Sequence, residues 1–237
     1  MRSFLSFVIL SILFVFSGIA QSVDSVKISY YNKSTFIKKQ ILPISLITTG
    51  TLLNIGSVKT NIQNQIPNTN TNIDDYLQFA PIAQIYLFDA MGYKHQNTVF
   101  DQTKYLFISQ LISNSLVFSL KNITKVQRPM GDNRSFPSGH TANAFCGATV
   151  LFHEFKDDEP VLAYSGYLFA TATGILRTTN NAHWLPDVLV GAGIGVLSAN
   201  LVYHFKPLRK FQPFKKNKNL VFTPVISTNS LGLQCRF

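Results

Sequence analysis

Long apolar runs separated by polar clusters dominate this chain and predict helices. Three runs rich in small residues stand out, at residues 141–153, 161–176 and 188–205. Two earlier segments, 73–93 and 104–120, are also predicted to be helical but carry more polar side chains. Such helices are better placed inside a bundle than against lipid. The pattern therefore predicts an all-α protein, a helical bundle of about five to six helices.

The first residues have the pattern of an export signal. Arg2 supplies a positive end, an apolar core runs from Phe4 to Phe16, and the small residues Gly18 and Ala20 occupy the positions that signal peptidase reads. The apolar core is shorter than the roughly 20 residues that a membrane span needs. We therefore expect a signal peptide at residues 1–20, and the alternative is an uncleaved membrane anchor.

The remaining organisation follows from the same pattern. Residues 21–72 form a polar lead-in with one weakly apolar segment, and residues 58–72 within it predict a loop because they are rich in Asn, Gln and Thr. Residues 73–205 hold the predicted helical domain. Residues 206–237 form a basic tail, and its last stretch is compatible with a small hairpin.

Composition and charge point to a membrane and to anionic partners. The 237 residues are 46% hydrophobic and only 14% charged, against about 25% charged in an ordinary soluble domain. The formal net charge of +10 favours lipid head groups or phosphate substrates. No nucleic-acid partner is expected, because the hydrophobic runs leave no long basic face. Cys146 and Cys235 lie in unlike surroundings, so no disulfide framework is expected.

Polar residues gather in three clusters where the apolar helices begin or end. The first cluster holds Lys121 and Arg128, the second is Pro137–His140, and the third runs from Arg177 to Asp187. If the three later helices cross the bundle alternately, all three clusters lie at one end of it. The guanidinium fork of arginine matches phosphate oxygens, and lysine adds a point charge. The clusters therefore predict a phosphate site at one end of the bundle.

The second and third clusters also contain the groups that a proton-transfer or nucleophilic reaction needs. Ser138 is a good N-cap, and Gly139 lets the backbone N–H groups of the helix start approach an anion. His140 lies beside that anion site and can give or take a proton. His183 lies four residues before Asp187. The carboxylate can accept a hydrogen bond from one ring nitrogen and leave the other free to attack.

Each feature alone has a simpler explanation. A Lys–Arg pair at a helix end is commonly an interface anchor, and a histidine beside a tryptophan suits interfacial packing. Ser138 can be only a cap, and Asp187 only a charge at a helix start. The combination is harder to attribute to anchoring, since ten residues occur in fixed order and spacing: Lys121, Arg128, Pro129, Pro137, Ser138, Gly139, His140, Arg177, His183 and Asp187.

These residues resemble the signature of the type 2 phosphatidic acid phosphatase superfamily, which also contains bacterial class A acid phosphatases and vanadium haloperoxidases. The signature is K-x6-RP, PSGH and SR-x5-H-x3-D, and it matches except that Leu176 replaces the serine before the arginine. Loss of one hydrogen bond to a charged phosphate costs about 1.5–3 kcal/mol, which affects efficiency and not the reaction type. The resemblance covers roughly residues 73–205.

The resemblance implies a metal-independent phosphatase that needs no cofactor. It assigns the substrate phosphate to five residues: Lys121, Arg128, Arg177, Ser138 and Gly139. It also implies a covalent phospho-histidine on His183. His140 would protonate the leaving oxygen and then activate water, and Asp187 would orient His183.

The predicted position of the site favours a lipid substrate. Charges at the bilayer centre cost roughly 2.5–3.5 kcal/mol each, so the site of a membrane-embedded bundle should lie at the interface, beside lipid head groups. We therefore expect a phosphorylated lipid and the membrane as partners, with a lipid phosphate or diphosphate monoester as substrate. The sequence does not choose among undecaprenyl diphosphate, phosphatidic acid, phosphatidylglycerol phosphate and the phosphates of lipid A.

The basic tail predicts which side of the membrane the site faces. Lys and Arg after residue 205 should stay cytoplasmic, which places the site at the periplasmic or exterior face of a bacterial inner membrane. This location agrees with an export signal only if the region before Lys121 makes an even number of crossings. Three alternatives stay open: an exported non-specific acid phosphatase, a vanadium-dependent haloperoxidase, and a non-catalytic protein that binds phosphorylated lipid.

Overall fold

The computed structural model describes residues 33–205, 221–227 and 230–236. Contacts divide the chain into residues 1–38 and residues 39–237. In the first unit, only the start of a helix is described. The predicted signal peptide and the basic cluster at 206–218 lie outside the described residues. All side chains discussed below belong to the second unit.

The described part of the chain is helical except for one hairpin, which confirms the all-α prediction. It contains eight helices, instead of the five to six expected. Their bounds are α1 Lys33–Leu53, α2 Val58–Gln63, α3 Ile73–Leu77, α4 Ala80–Ala90, α5 Val99–Thr124, α6 Gly139–Phe155, α7 Pro160–Thr179 and α8 Leu185–His204. The strands β1 Val221–Ser227 and β2 Ser230–Arg236 pair antiparallel, with Ser227 opposite Ser230.

The additional helices are short and lie before the family signature. Residues 58–72 were predicted to be a loop, but they begin with the six-residue helix α2. Polar residues lower helix propensity by only tenths of a kcal/mol, and tertiary contacts override this cost. Gln63 at the end of α2 supplies such contacts, since its Nε2 donates to Thr178 O at 2.9 Å and to Asn181 Oδ1 at 2.7 Å. The segment 73–93 divides into α3 and α4, with Pro81 in the first turn of α4.

Helix α6 lies at the centre of the bundle, where it packs against α5, α7 and α8. Its contact with α8 depends on the glycines that form the G-x-x-x-G pattern of α8. A Cβ added to Gly195 would lie 2.8 Å from Cys146 N, and one added to Gly191 would overlap Ser138 O. The two backbones therefore approach more closely than larger residues allow. This contact places the start of α6 beside the start of α8.

One described helix, Leu185–His204, is long and apolar enough to cross a membrane, and 72% of its most apolar window is buried inside the protein. Its length and composition are also those of a core helix. Most of the large apolar side chains that face outward lie on α1, α5 and α7.

Replacement of Gly195 by valine should destabilise the fold. The added carbons would overlap the backbone of α6, and overpacking of this kind costs about 1–3 kcal/mol or more. Chemical denaturation of the purified protein in detergent measures the loss. Gly139→Ala is the matched control, because an added Cβ there meets Val117 Cγ1 at an ordinary 3.7 Å. Equal stability of the two variants would contradict the close contact between α6 and α8.

Candidate active site

His183 lies in the loop between α7 and α8, and its side chain is only 1% exposed. Both ends of the loop hold it in place. The backbone N–H groups of Ala182 and His183 donate to Arg177 O, both at 3.1 Å. On the other side, Trp184 N–H donates to Asp187 Oδ2 at 3.1 Å in the first turn of α8. The imidazole is therefore anchored between two helix ends.

Ser135 lies between the histidine and the aspartate that the sequence paired directly. His183 Nδ1 is 3.7 Å from Asp187 Oδ2, which is longer than a hydrogen bond. The same nitrogen is 3.4 Å from Ser135 Oγ, and this hydroxyl donates a hydrogen bond to Asp187 Oδ2. The three side chains thus form a buried chain of polar contacts from the carboxylate to the imidazole.

Burial keeps the imidazole of His183 uncharged. Its pKa falls to about 4, mainly because burial penalises the charged form, and the positive charges of Lys121 and Arg177 lower it further. The carboxylate of Asp187 acts in the opposite direction but does not compensate for burial. At neutral pH the ring is therefore neutral and retains a lone pair on one nitrogen.

Lys121 lies in the last turn of α5, at the helix end, and its ammonium group faces the same loop. Nζ donates to Arg134 O at 2.8 Å and to Ser135 O at 3.3 Å. Burial, followed by the positive charges of Arg128 and Arg177, lowers the pKa of Lys121 to about 8. The three predicted cations are therefore close enough to repel one another.

Two guanidinium groups of the site have buried N–H donors without a partner. Neither Arg128 Nε nor Arg177 Nε donates a hydrogen bond within the described part of the chain. A buried donor left unpaired costs about 1–3 kcal/mol, more when it is charged. These donors are therefore the groups most in need of an acceptor such as a phosphate oxygen.

An aspartate pair on α3 neutralises part of this charge. Arg177 Nη1 donates to Asp74 Oδ2 at 2.6 Å and to Asp75 Oδ1 at 3.3 Å. His140 Nε2 lies 2.9 Å from the same oxygen of Asp75. Burial and the charge of Arg177 lower the pKa of His140, whereas Asp75 and Asp74 raise it. Asp74 is buried and Asp75 is about half exposed, with 52% of its side chain accessible.

The residues at the start of α6 have the predicted positions. Ser138 is the N-cap, and its Oγ accepts from Thr141 N at 3.4 Å. Gly139 is the first helical residue and lies beside Lys121, because an added Cβ would be 3.9 Å from Lys121 Cε. Ser138 N donates to Asp187 O at 2.9 Å. The second and third sequence clusters are thus joined directly through the backbone.

Residues 92–211 of the chain match the PAP2 superfamily. The chain belongs to this superfamily. The resemblance drawn from the three motifs is therefore confirmed, and all eight predicted site residues lie within the matched region.

One curated relative has a name that is more specific than the superfamily. The lipid A 1-phosphatase of Porphyromonas gingivalis is 34% identical to this PAP2 protein over 144 residues, which are 59% of this chain and 32% of the relative. The chain thus spans about a third of the length of that relative.

Two crystal structures are similar to this PAP2 protein. LpxE from Aquifex aeolicus is 24% identical, with a TM-score of 0.46 over 63% of this chain and 94% of that one. The first transmembrane PAP2 type phosphatidylglycerolphosphate phosphatase from Bacillus subtilis is 20% identical, with a TM-score of 0.42 over 79% of this chain and 92% of that one.

The sequence analysis missed Ser135, Asp74 and Asp75. The two aspartates precede the PAP2 match, and their contacts with Arg177 join positions 103 and 102 residues apart. The only local signal was an acidic pair in a segment with few charges. Ser135 lies two residues before the PSGH motif, and nothing in its spacing connects it to Asp187. Within the described residues, no group of three or more His, Cys, Asp or Glu is placed to hold a metal ion.

The stability of this PAP2 protein should decrease as the pH falls from about 6.5 to about 4. The unfolded chain protonates His183 near 6.5, whereas the fold resists protonation until about 4. The contribution of the neutral ring to the free energy of unfolding is therefore fully present above pH 6.5 and is lost as the pH approaches 4. His183→Gln, which cannot titrate, should lack this part of the slope. Denaturant unfolding at several pH values measures it, and identical slopes in both proteins would contradict a buried neutral His183.

Proposed function

We propose that this PAP2 protein is a metal-independent phosphatase that hydrolyses a lipid phosphate monoester through a phospho-histidine on His183. One observation carries the proposal. A buried neutral imidazole lies among three converging cations, Lys121, Arg128 and Arg177, and two of these cations have buried N–H donors that find no acceptor among the described residues. A nucleophile and an anion site are the two components that phosphoryl transfer requires.

The cations would hold the substrate phosphate. The unpaired Nε–H groups of Arg128 and Arg177 can donate to two phosphate oxygens, and Lys121 neutralises charge beside them. The first backbone N–H groups of a helix have no acceptor inside the helix, so those of Gly139 and His140 can bind a further oxygen. In this role Ser138 caps the helix and fixes the direction of these N–H groups.

The chain of contacts from Asp187 would select the tautomer of His183. Because Ser135 gives its proton to Asp187, its oxygen is free to accept the proton of His183 Nδ1. The proton then stays on Nδ1, and Nε2 carries the lone pair that attacks phosphorus. In this arrangement Asp187 acts on His183 through Ser135 and also through its own charge. Asp187 and Ser135 are both positioning residues.

Phosphoryl transfer would proceed in two balanced steps. In the first, Nε2 of His183 bonds to phosphorus while the bond from phosphorus to the leaving oxygen breaks, and His140 gives that oxygen a proton. In the second, His140 takes a proton from water, the water oxygen bonds to phosphorus, and the bond between nitrogen and phosphorus breaks. Inorganic phosphate and the dephosphorylated alcohol are the products.

Asp75 would exchange with the substrate. Its carboxylate oxygen contacts both His140 and Arg177, so it occupies the position that a phosphate oxygen needs. Because Asp75 is about half exposed, its side chain can move aside at low cost. Asp74 is buried against Arg177 and Asn180, and it keeps Arg177 oriented while the substrate is bound.

The named relative and the outward apolar side chains of α5 and α7 support a lipid substrate and a membrane location for this chain. The relative named above is a lipid A 1-phosphatase. Helix α5 exposes Phe107, Leu111 and Phe118, and α7 exposes Val161 and Leu168. Outward apolar surface of this extent is typical of contact with lipid or with a partner. The site at the helix ends would then lie at head-group level, and its periplasmic or exterior orientation stays a prediction.

Replacement of His183 by alanine should abolish turnover and the covalent intermediate. Loss of a nucleophile typically lowers kcat by about 10³-fold or more. Rapid quenching with a ³²P-labelled substrate should trap a phospho-enzyme in the wild type and none in the variant. His204→Ala, at the far end of α8, is the matched control and should retain both signals. A labelled enzyme in the absence of His183 would contradict the mechanism.

Phosphatase activity should survive EDTA, because side-chain cations already neutralise the phosphate. Orthovanadate should inhibit, since its trigonal-bipyramidal form resembles the in-line transition state. Restoration of lost activity by Mg²⁺ or Zn²⁺ would contradict metal independence. Oxidation of bromide by the vanadate-loaded protein would instead favour the haloperoxidase alternative.

A further inference from the structure

Residues 69–74 contact the turn that leads from α7 to His183, and they precede the part of the chain that matches the PAP2 superfamily. Thr69 N donates to Thr179 O at 2.8 Å, and Thr69 Oγ1 lies 2.9 Å from Thr179 Oγ1. Residues 67–72 belong to no helix, so contacts of this kind hold the segment in place. The segment is therefore tied to the end of α7, although the two threonines are 110 positions apart.

Asn180, the C-cap of α7, is the centre of this contact. Its Nδ2 donates to Thr71 O at 2.8 Å and to Asp74 Oδ1 at 2.9 Å. Its Oδ1 accepts from Thr69 Oγ1 at 2.9 Å and from Thr71 N at 3.3 Å. An asparagine amide has two N–H donors and an oxygen with two lone pairs. The hydrogen-bonding capacity of this side chain is therefore fully used on residues 69–74.

Asp74 connects Asn180 with the phosphate site. Its Oδ1 accepts from Asn180, and its Oδ2 accepts from Arg177 Nη1 at 2.6 Å. Asp74 is only 1% exposed, so the carboxylate cannot turn away from Arg177 without leaving a buried charge unpaired. The amide of Asn180 thus fixes the rotation of the carboxylate, and the carboxylate fixes the guanidinium group.

Asn180 also stands at the start of the loop that carries His183. The next residue, Asn181, has a φ of 53°, in the left-handed region, and turns the chain away from α7. After this turn the N–H of His183 returns to Arg177 O at 3.1 Å. A shift of Asn180 relative to residues 69–74 would therefore move the predicted nucleophile and the phosphate-binding arginine together.

We infer that Asn180 is a positioning residue of the candidate active site, which holds Arg177, through Asp74, and the loop of His183 in one arrangement for phosphoryl transfer. The inference rests on the proposed function and extends it to a position that the PAP2 signature leaves unspecified. Arg177 and His183 must meet the same phosphoryl group, so their relative position affects the rate. A misplacement of about 1 Å can cost about 10²-fold in rate.

Asn180→Asp tests this role with almost no change in size. The new carboxylate loses both donors and lies next to Asp74, so Asp74 should turn away and release Arg177. The inhibition constant of inorganic phosphate should rise about 10-fold or more, as expected for one hydrogen bond to a charged group, and kcat should fall. A smaller folded fraction would lower the apparent kcat but leave the inhibition constant unchanged. Asn72→Asp, at an exposed position in the same segment, is the matched control and should change neither.

Exchange of the two groups tests whether Asn180 acts through Asp74. In the double variant Asn180→Asp, Asp74→Asn, the amide at position 74 can donate to the carboxylate at position 180 and still accept from Arg177. This variant should recover most of the phosphate binding that Asn180→Asp loses. Asn180→Ala removes the donors without adding a charge, and it should also raise the inhibition constant. A double variant no better than Asn180→Asp, or a wild-type inhibition constant in Asn180→Ala, would overturn the inference.

Fluorescence distinguishes failure of this inference from failure of the proposed function. Trp184 is the only tryptophan in the chain, and it lines an open cavity of about 560 Å³ together with Asn180. Its indole N–H donates to Gln127 O at 2.8 Å, so a displaced loop should break this bond and shift the emission. The shift should occur in Asn180→Asp, reverse in the double variant and be absent in Asn72→Asp. If the wild type hydrolyses no phosphate monoester, the proposed function fails. The emission still decides whether Asn180 positions the loop, and unshifted emission in Asn180→Asp would refute that role.

Discussion

The contact between α6 and α8 is so close that only glycine fits at Gly191 and Gly195, and the geometry of the site depends on it. Because the backbones touch, the start of α6 is joined to the start of α8 by the hydrogen bond from Ser138 N to Asp187 O. The N-cap of α6 and the loop that carries His183 are therefore joined in one unit. A small separation of the two helices would disturb both at once.

The helix ends that meet at the site also bring Lys121, Arg128 and Arg177 together, and these three cations repel one another. The protein offsets part of this repulsion with Asp74 and Asp75, which lie outside the PAP2 match. The balance of charge is incomplete, since the buried Nε–H groups of Arg128 and Arg177 have no acceptor within residues 33–205, 221–227 and 230–236. A site that is destabilised without its ligand in this way binds an anion more favourably.

The region around the candidate site has a charged part and an uncharged part. The cations gather where the helix ends meet, whereas the adjoining cavity is lined by uncharged amides, hydroxyls and one indole ring. Phosphate recognition alone cannot distinguish one monoester from another, because the phosphate is common to all of them. Selectivity must come from groups that contact the rest of the substrate.

The sequence alone predicted the helical class and the superfamily, because helix caps and motif spacings depend on residues only a few positions apart. The roles of the eight site residues stay a prediction. It did not predict that α2 forms from Asn- and Thr-rich residues, or that Ser135 separates His183 from Asp187. It also did not connect Asp74 and Asp75 with Arg177 across about 100 positions. These features were decided by the tertiary structure, because side chains distant in sequence meet only after the helices have packed.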